Sequence, residues 1–374
     1  MVKVDIAGNS VELTMEALCQ LATNRKASDL HLKAGKSPVL RIDGEIYPTG
    51  IRPLTDGEMC DLIFAVMNDR QKRVYQETGA IDFAYPLPSG DRYRVNVFSQ
   101  RGLTSVAARR VIRKLPTFAE LNLPDLALAK LCDLHQGLII FCGQAGCGKS
   151  TSIAACLEYI NQHRACHIVT IEDPIEFLYE DKMAFISQRE VGTDVVSMEE
   201  ALTFLMREDP DVVLVGEMRN RDTFEAAVRA AETGHLVFAT LHAGSPSSAI
   251  GRILDLYPDE MQNAVRQNLA FNLAAIICQL LVPSCNPAAK RVPVFESLIV
   301  TSLARKFIRE AEDEKLEEVI KGRMAEGMVD FASSFVQRVE KGWITHDIAY
   351  EYAPNPDAVR MALKGIGVRQ GIIR

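Results

Sequence analysis

Residues 143–151 read GQAGCGKST and fit the spacing G-x-x-x-x-G-K-[ST], a pattern for gripping the phosphates of a nucleotide. The chemistry calls for these residue types. Gly143, Gly146 and Gly148 let backbone N–H groups close around phosphate oxygens, and the start of the following helix adds a positive dipole end. Lys149 would reach the β- and γ-phosphates, Ser150 would hold Mg²⁺, and Thr151 completes the motif. A strand-like run, GLIIFC (137–142), leads in, and a helical segment from Lys149 to about His163 leads out, which is the context the motif requires. The motif by itself leaves open a kinase, a nucleic-acid motor, a switch or a machine that pulls on another protein.

Three further stretches carry candidate chemistry. DPDVVLVGEMR (209–219) is an apolar strand ending in an acid, Glu217, at the sheet edge where α/β proteins bind ligands. Glu217 would hold Mg²⁺ or orient water; otherwise it is a carboxylate facing solvent at a strand end. TIEDPIE (170–176) packs Glu172, Asp173 and Glu176 close together, where like charges raise one another's pKa unless a bound Mg²⁺–nucleotide relieves them. Of the three, Glu176 is the preferred group to activate an attacking water. TGHLVFATLH (233–242) brackets one strand with His235 and His242, an odd offset that sends them to opposite faces and argues against a shared metal. His242 at the strand end suits contact with a γ-phosphate, whereas His235 suits packing.

Bulk properties narrow the classes. The chain has 374 residues, net charge −7 and pI near 5.6, so no global basic field invites nucleic acid. Nine cysteines include no CxxC pair, which predicts reduced thiols rather than a zinc cluster or a disulfide framework. Cys147, near a helix N-terminus, is expected to have a lowered thiol pKa and to be sensitive to oxidation. The N-terminus lacks a signal-peptide apolar core. Residues 267–289 carry no charge, but Asn268, Asn272 and Gln279 interrupt the run and Pro283 and Pro287 break it, so it reads as a buried helix and not a membrane span.

The elements that must position these residues fall into regions. Residues 1–112 mix alternating runs (38–48 and 91–102) with helical patterns near 14–25 and 57–78, a small α+β domain. Residues 113–125, with two prolines, read as a linker. Residues 126–300 alternate dense apolar strands (137–142, 167–171, 211–215, 235–241) with helices, an α/β pattern with a parallel sheet. Ser197 and Asp222 resemble capping-box starts, and Gly234 a helix stop. Residues 301–374 are helical and charged.

Taken in order and spacing, the four boxes at 143–151, 170–176, 209–219 and 233–242 resemble those of the secretion ATPases of type II secretion and type IV pilus systems, and most of all the pilus retraction ATPases (PilT/PilU-like). The resemblance spans about residues 15–345 and includes ASDLHL (27–32) and RIDGE (41–45). It implies a RecA-like P-loop ATPase domain preceded by a small PAS-like α+β domain and followed by a helical subdomain. It also implies ATP and Mg²⁺ as ligands, and a homohexamer that hydrolyses ATP to retract type IV pili and drive twitching motility. Glu176 is then the catalytic base, Glu217 the Walker B acid, and His235 and His242 the His-box histidines at the nucleotide. Arg94 and Arg109, fifteen residues apart, complete the site from the first domain, with Arg101 and Arg110 as further candidates. The implied place is cytoplasmic, docked on an inner-membrane pilus platform protein, with a paralogous pilus ATPase as a second partner and no nucleic acid.

Retraction is favoured over assembly on two expectations. The assembly and type II secretion relatives carry an extra N-terminal domain, for which the roughly 140 residues before the P-loop are expected to leave no room, and a four-cysteine zinc loop, where residues 280–294 hold Cys285 alone. Departures exist: Gln144, Ala145 and Cys147 replace the usual loop residues, and the family's C-terminal retraction motif appears only as LARKFI (303–308). An accessory PilU-like role and a pilus assembly or type II secretion ATPase are the alternatives.

Overall fold

Alternating polar and apolar residues build the strands of the first part of the chain, and short dense apolar runs build those of the second. The computed structural model describes residues 2–6, 9–42, 44–111 and 115–365. They form two units, one of Met1–Lys114 with Glu176–Leu178, the other of Leu115–Ile175 with Tyr179–Arg374.

The first unit opens with an antiparallel hairpin, β1 (Val2–Ile6) and β2 (Asn9–Leu13). It continues through α1 (Met15–Asn24), β3 (Asp29–Lys33), β4 (Val39–Ile42), β5 (Glu45–Pro48), α2 (Asp56–Phe64), α3 (Asp69–Thr78), β6 (Ala80–Pro86), β7 (Arg92–Gln100) and β8 (Leu103–Val111). Strands β3 to β8 make an antiparallel sheet in the order β5-β4-β3-β8-β7-β6. The helical pattern at 57–78 is two helices. A Thr55–Glu58 capping box starts α2, an Asn68–Gln71 capping box starts α3 afresh, and Gly79, at φ +76°, ends it. Along β7, Tyr93, Val95 and Val97 are buried, which turns Arg94 to the opposite face.

The second unit contains α4 (Asp125–Cys132), β9 (Gly137–Cys142), α5 (Lys149–His163), β10 (His167–Glu172), β11 (Phe185–Glu190), α6 (Met198–Leu205), β12 (Val212–Glu217), α7 (Arg221–Glu232), β13 (Leu236–Leu241), α8 (Pro246–Leu254), α9 (Asp259–Asn272), β14 (Leu273–Pro283) and β15 (Arg291–Ile299). Helices α10 (Ser302–Arg309), α11 (Leu316–Gly322), α12 (Phe331–Glu340), α13 (His346–Tyr352) and α14 (Pro356–Leu363) follow. Its sheet has the order β11-β10-β12-β13-β9-β14-β15. Only β15 runs antiparallel, against β14; the other neighbouring pairs among the described residues are parallel. Parallel strands bring all their C-terminal ends to one edge, and helices cover both faces. That is why β9 and β13 are buried at every position and read as unbroken apolar runs.

Two expectations are corrected. The charge-free stretch 267–289 is helical only to Asn272; from Leu273 it becomes β14, paired with β9 on one side and β15 on the other. A strand buried on both faces and a buried helix share one apolar signature, and Ile276, Ile277 and Val282 tip this run to the strand. The capping box of α7 is made by Asn220 with Thr223, not by Asp222. Ser197 caps α6 as expected, and Gly234, at φ +100°, lies just past the end of α7. The last helices share one apolar cluster with the sheet, in which Ile308, Leu316, Phe335 and Val359 join Leu138, Val213 and Val237.

Glu296 on β15 lines a cavity of about 410 Å³ together with Glu314, Glu317, Lys321 and Asp330. Burial first, and then the Asp330 and Glu317 carboxylates, push its carboxyl up from 4.5 to about 7; the Phe331 N–H and Lys321 pull weakly the other way. A carboxyl whose folded pKa lies above its unfolded value is favoured by folding only when protonated. Stability is therefore lost as pH rises from about 4.5 through 7 and is level above that. Glu296→Gln should leave denaturant stability near pH 4.5 unchanged and raise it at pH 8 by roughly 2–3 kcal/mol; an equal effect at both pH values would contradict this assignment.

Candidate active site

The C-terminal ends of four parallel strands, with β14 beside them, assemble the site. Gly143 follows β9 directly and donates its N–H to the Leu241 carbonyl on β13 at 3.3 Å, which fixes the loop's entry beside His242. Residues 143–148 then turn into α5, with Gly143, Gly146 and Gly148 at φ +146°, +77° and +91°. Two of these glycines are demanded by space. A Cβ at Gly143 would sit 2.5 Å from both Cys147 Sγ and the Gln279 carbonyl oxygen, and a Cβ at Gly148 would sit 2.8 Å from Gln279 Nε2. At Gly146 nothing lies within 4 Å, so there the left-handed backbone alone asks for glycine. Lys149 Nζ donates to the loop carbonyls of Gly143 at 2.7 Å and Gln144 at 3.1 Å. A phosphate would exchange those neutral acceptors for charged ones, which make the stronger bonds. Ser150 and Thr151, half-buried, begin α5.

Beside the loop, His242 Nε2 lies 2.9 Å from Glu217 Oε1, and Arg219 donates to Glu217 Oε2 through Nε at 2.8 Å. A bulge positions the acid. The β12–β13 register advances between Val215 and Glu217, and Thr240 Oγ1 donates to the Gly216 carbonyl at 3.0 Å. On the next strand, Glu172 at the end of β10 is buried and accepts from Thr170 Oγ1 at 2.7 Å and Gln188 Nε2 at 3.3 Å. Asp173 and Glu176, both exposed, lie in the segment beyond it.

The other predicted residues lie elsewhere. His235 precedes β13, at the end opposite to His242, where its Nδ1 sits 2.9 Å from the Ala230 carbonyl and 3.1 Å from Thr233 Oγ1. The fold therefore separates the two histidines by the length of a strand, and His235 is apart from the loop of its own chain. In the first unit Arg94 and Arg109 are direct cross-strand partners on β7 and β8, so they share a face. Like charges directly opposite repel; Asp82, 3.5 Å from Arg94 Nε, and Asp29, 2.7 Å from Arg109 Nε, offset this. Arg109 remains 73% exposed, which leaves its guanidinium presented outward. Arg110 pairs with Asp91 at 2.9 Å, and Arg101 occupies the β7–β8 turn at φ +54°.

Cys147 departs from expectation. Burial pushes its thiol up, and nearby Lys149 pulls it down only in part, so the helix start does not make it a reactive thiolate. Two residues escaped the sequence reading. Arg219 was legible only as a cation two places past the acid. Gln279 looked like a mere interruption of an apolar run, yet it is buried and its side chain bonds both Cys147 O and Ser152 Oγ.

The model of the type II/IV secretion system protein family matches residues 95–340. The chain belongs to this family. The type IV pilus ATPase PilU of Pseudomonas aeruginosa is 37% identical over 94% of this chain and 92% of its own length. The type IV pilus retractation ATPase PilT of the same organism is 38% identical over 91% of this chain and 98% of its own. A crystal structure of the pilus retraction motor PilT with bound ADP matches with a TM-score of 0.86 at 39% identity, over 93% of this chain and 99% of that one.

In this secretion-family member, Gly143→Ala should destabilise the fold by ~2–5 kcal/mol, from close contact on two sides added to backbone strain. Gly146→Ala, which meets open space, should cost only about 1–2 kcal/mol. Denaturant midpoints of the two variants check this, and equal losses would contradict it.

Proposed function

We propose that this chain is an ATP-hydrolysing motor, working as a homohexamer, that powers retraction of type IV pili and with it twitching motility. The observation that carries the reading is the agreement, along nearly the whole chain, with the ADP-bound pilus retraction motor. The site geometry supports it, since a P-loop, a strand-end acid and a histidine meet on adjacent parallel strands.

In this reading the backbone N–H groups of the loop beyond Gly143, whose own N–H is held by Leu241, and the Lys149 ammonium bind the β- and γ-phosphates of ATP. Ser150 and Glu217, a hydroxyl and a carboxylate, are a fitting oxygen donor set for magnesium, which when bound neutralises charge on the phosphates. His242 and Arg219 hold Glu217 in one orientation, and His242 is set beside Gly143 to sense the γ-phosphate. Glu176 takes the proton of the attacking water. Arg94 and Arg109 meet the charge that develops on the transferred phosphoryl group, a role worth about 10³–10⁵ in rate. A site completed by arginines from another domain ties hydrolysis to domain motion, as a motor requires.

The division of labour we propose is residues 1–112 as the arginine-bearing domain, 113–125 as linker, 126–300 as ATPase domain and 301–374 as helical subdomain. The partner is an inner-membrane pilus platform protein on the cytoplasmic side; no helix among the described residues is long and apolar enough to cross a membrane. The connection from β14 to β15 is short and carries Cys285 alone, which favours retraction over the zinc-loop assembly motors. The similarity to a PilU protein supports a second reading, an accessory retraction ATPase working with a paralogue.

Purified protein should turn over ATP in the presence of magnesium, and Lys149→Ala should lower that turnover at least about a hundredfold, the scale of losing one preorganised charge on the phosphates. Release of phosphate by the variant at the parent rate would overturn the site assignment.

A further inference from the structure

Strand β14 reaches the phosphate-binding loop through one residue. Gln279 is 3% exposed; its Nε2 donates to the Cys147 carbonyl at 2.6 Å, and its Oε1 accepts from Ser152 Oγ at 2.7 Å. The carbonyl fixes which way the amide faces. It can only accept, so the NH₂ group must point to Cys147, and the Ser152 hydroxyl then donates to Oε1. Its own backbone carbonyl and its Nε2 are also the atoms that a Cβ at Gly143 or Gly148 would strike. Gln279 thus touches the loop at its first glycine, its middle and its last glycine.

The consequence follows from the planarity of the peptide bond. In a trans peptide the C=O and the next N–H point in opposite directions. Pinning the Cys147 carbonyl onto Gln279 therefore aims the Gly148 N–H away from β14, toward the concave side of the loop. Gly148 caps the N-terminus of α5, where the helix presents unpaired N–H groups. Resting on the nucleotide-binding reading above, we propose that Gln279 is a positioning residue of the phosphate site, which sets the direction of the Gly148 N–H donor through the Cys147–Gly148 peptide. The alternative role is packing alone, a buried amide that satisfies a carbonyl and a hydroxyl.

Binding of a fluorescent N-methylanthraniloyl ADP to the full-length protein, measured from pH 5 to 8, separates the two. Gln279→Met keeps the volume and removes both bonds; it should weaken ADP binding about tenfold at every pH, the scale of one lost buried hydrogen bond. Gln279→Glu should bind as weakly as Gln279→Met at pH 8 and recover most of the parent affinity toward pH 5, because a protonated carboxyl again donates to the Cys147 carbonyl. Ser152→Ala removes the donor at Oε1 but leaves the Cys147 carbonyl to hold the NH₂ group, so it should weaken binding less than Gln279→Met and add little when combined with it. Gln279→Glu decides the matter if Gln279→Met does not fold. A parent that binds ADP, with Gln279→Met binding equally tightly, overturns the inference alone. Flat pH dependence for Gln279→Glu does the same. A parent that binds no ADP overturns the nucleotide reading and the inference with it.

Discussion

The phosphate-binding loop closes against β14 so tightly that a Cβ at Gly143 would strike the Gln279 backbone carbonyl and one at Gly148 would crowd the Gln279 amide. Much of the second unit's architecture serves that close approach. Strand β9 delivers the loop, β13 anchors its first N–H at Leu241, and β14 supplies the wall on the other side. Gln279 is the one amide side chain in a strand that is otherwise apolar and mostly buried. An apolar side chain at 279 would take from the Cys147 carbonyl the donor it has now.

The acid side of the site depends on the same sheet edge. Because β10, β12 and β13 run parallel to β9, Glu172, Glu217 and His242 all emerge at the loop's end of the sheet. The bulge at Gly216 lets the chain pass close to the Ile171 carbonyl, 3.3 Å from where a Cβ would be, and turns Glu217 toward His242. The arginine pair in the first unit is a local liability of a different kind. Two cations face each other across β7 and β8, balanced by Asp82 and Asp29 rather than buried. A stable sheet has no need of that arrangement; under the proposed function it presents positive charge to a phosphoryl group.

The chemistry was more legible in the chain than the architecture around it. The P-loop, Glu217 and the β9, β10, β12 and β13 runs could be read because phosphate binding and double-sided burial each impose a sharp residue pattern. The pairing of Arg94 with Arg109 was visible only as a spacing; cross-strand register is set by the hairpin turn at Arg101 and Gly102, which the spacing does not encode. Strand β14 was misread because an apolar run buried on both faces has no period. Gln279 was passed over for the same reason, since its role appears only once β14 lies beside the loop. His235 and His242 shared a motif, yet a strand's length keeps them apart. The lowered thiol expected at Cys147 failed because burial outweighs the helix start.

The central claim, that ATP hydrolysis at this site retracts pili, is tested most directly by counting surface pili and scoring twitching motility in the native host carrying a Glu217→Ala allele. Excess pili with motility lost are the expected result. Cells bare of pili would contradict it and make the chain an assembly motor.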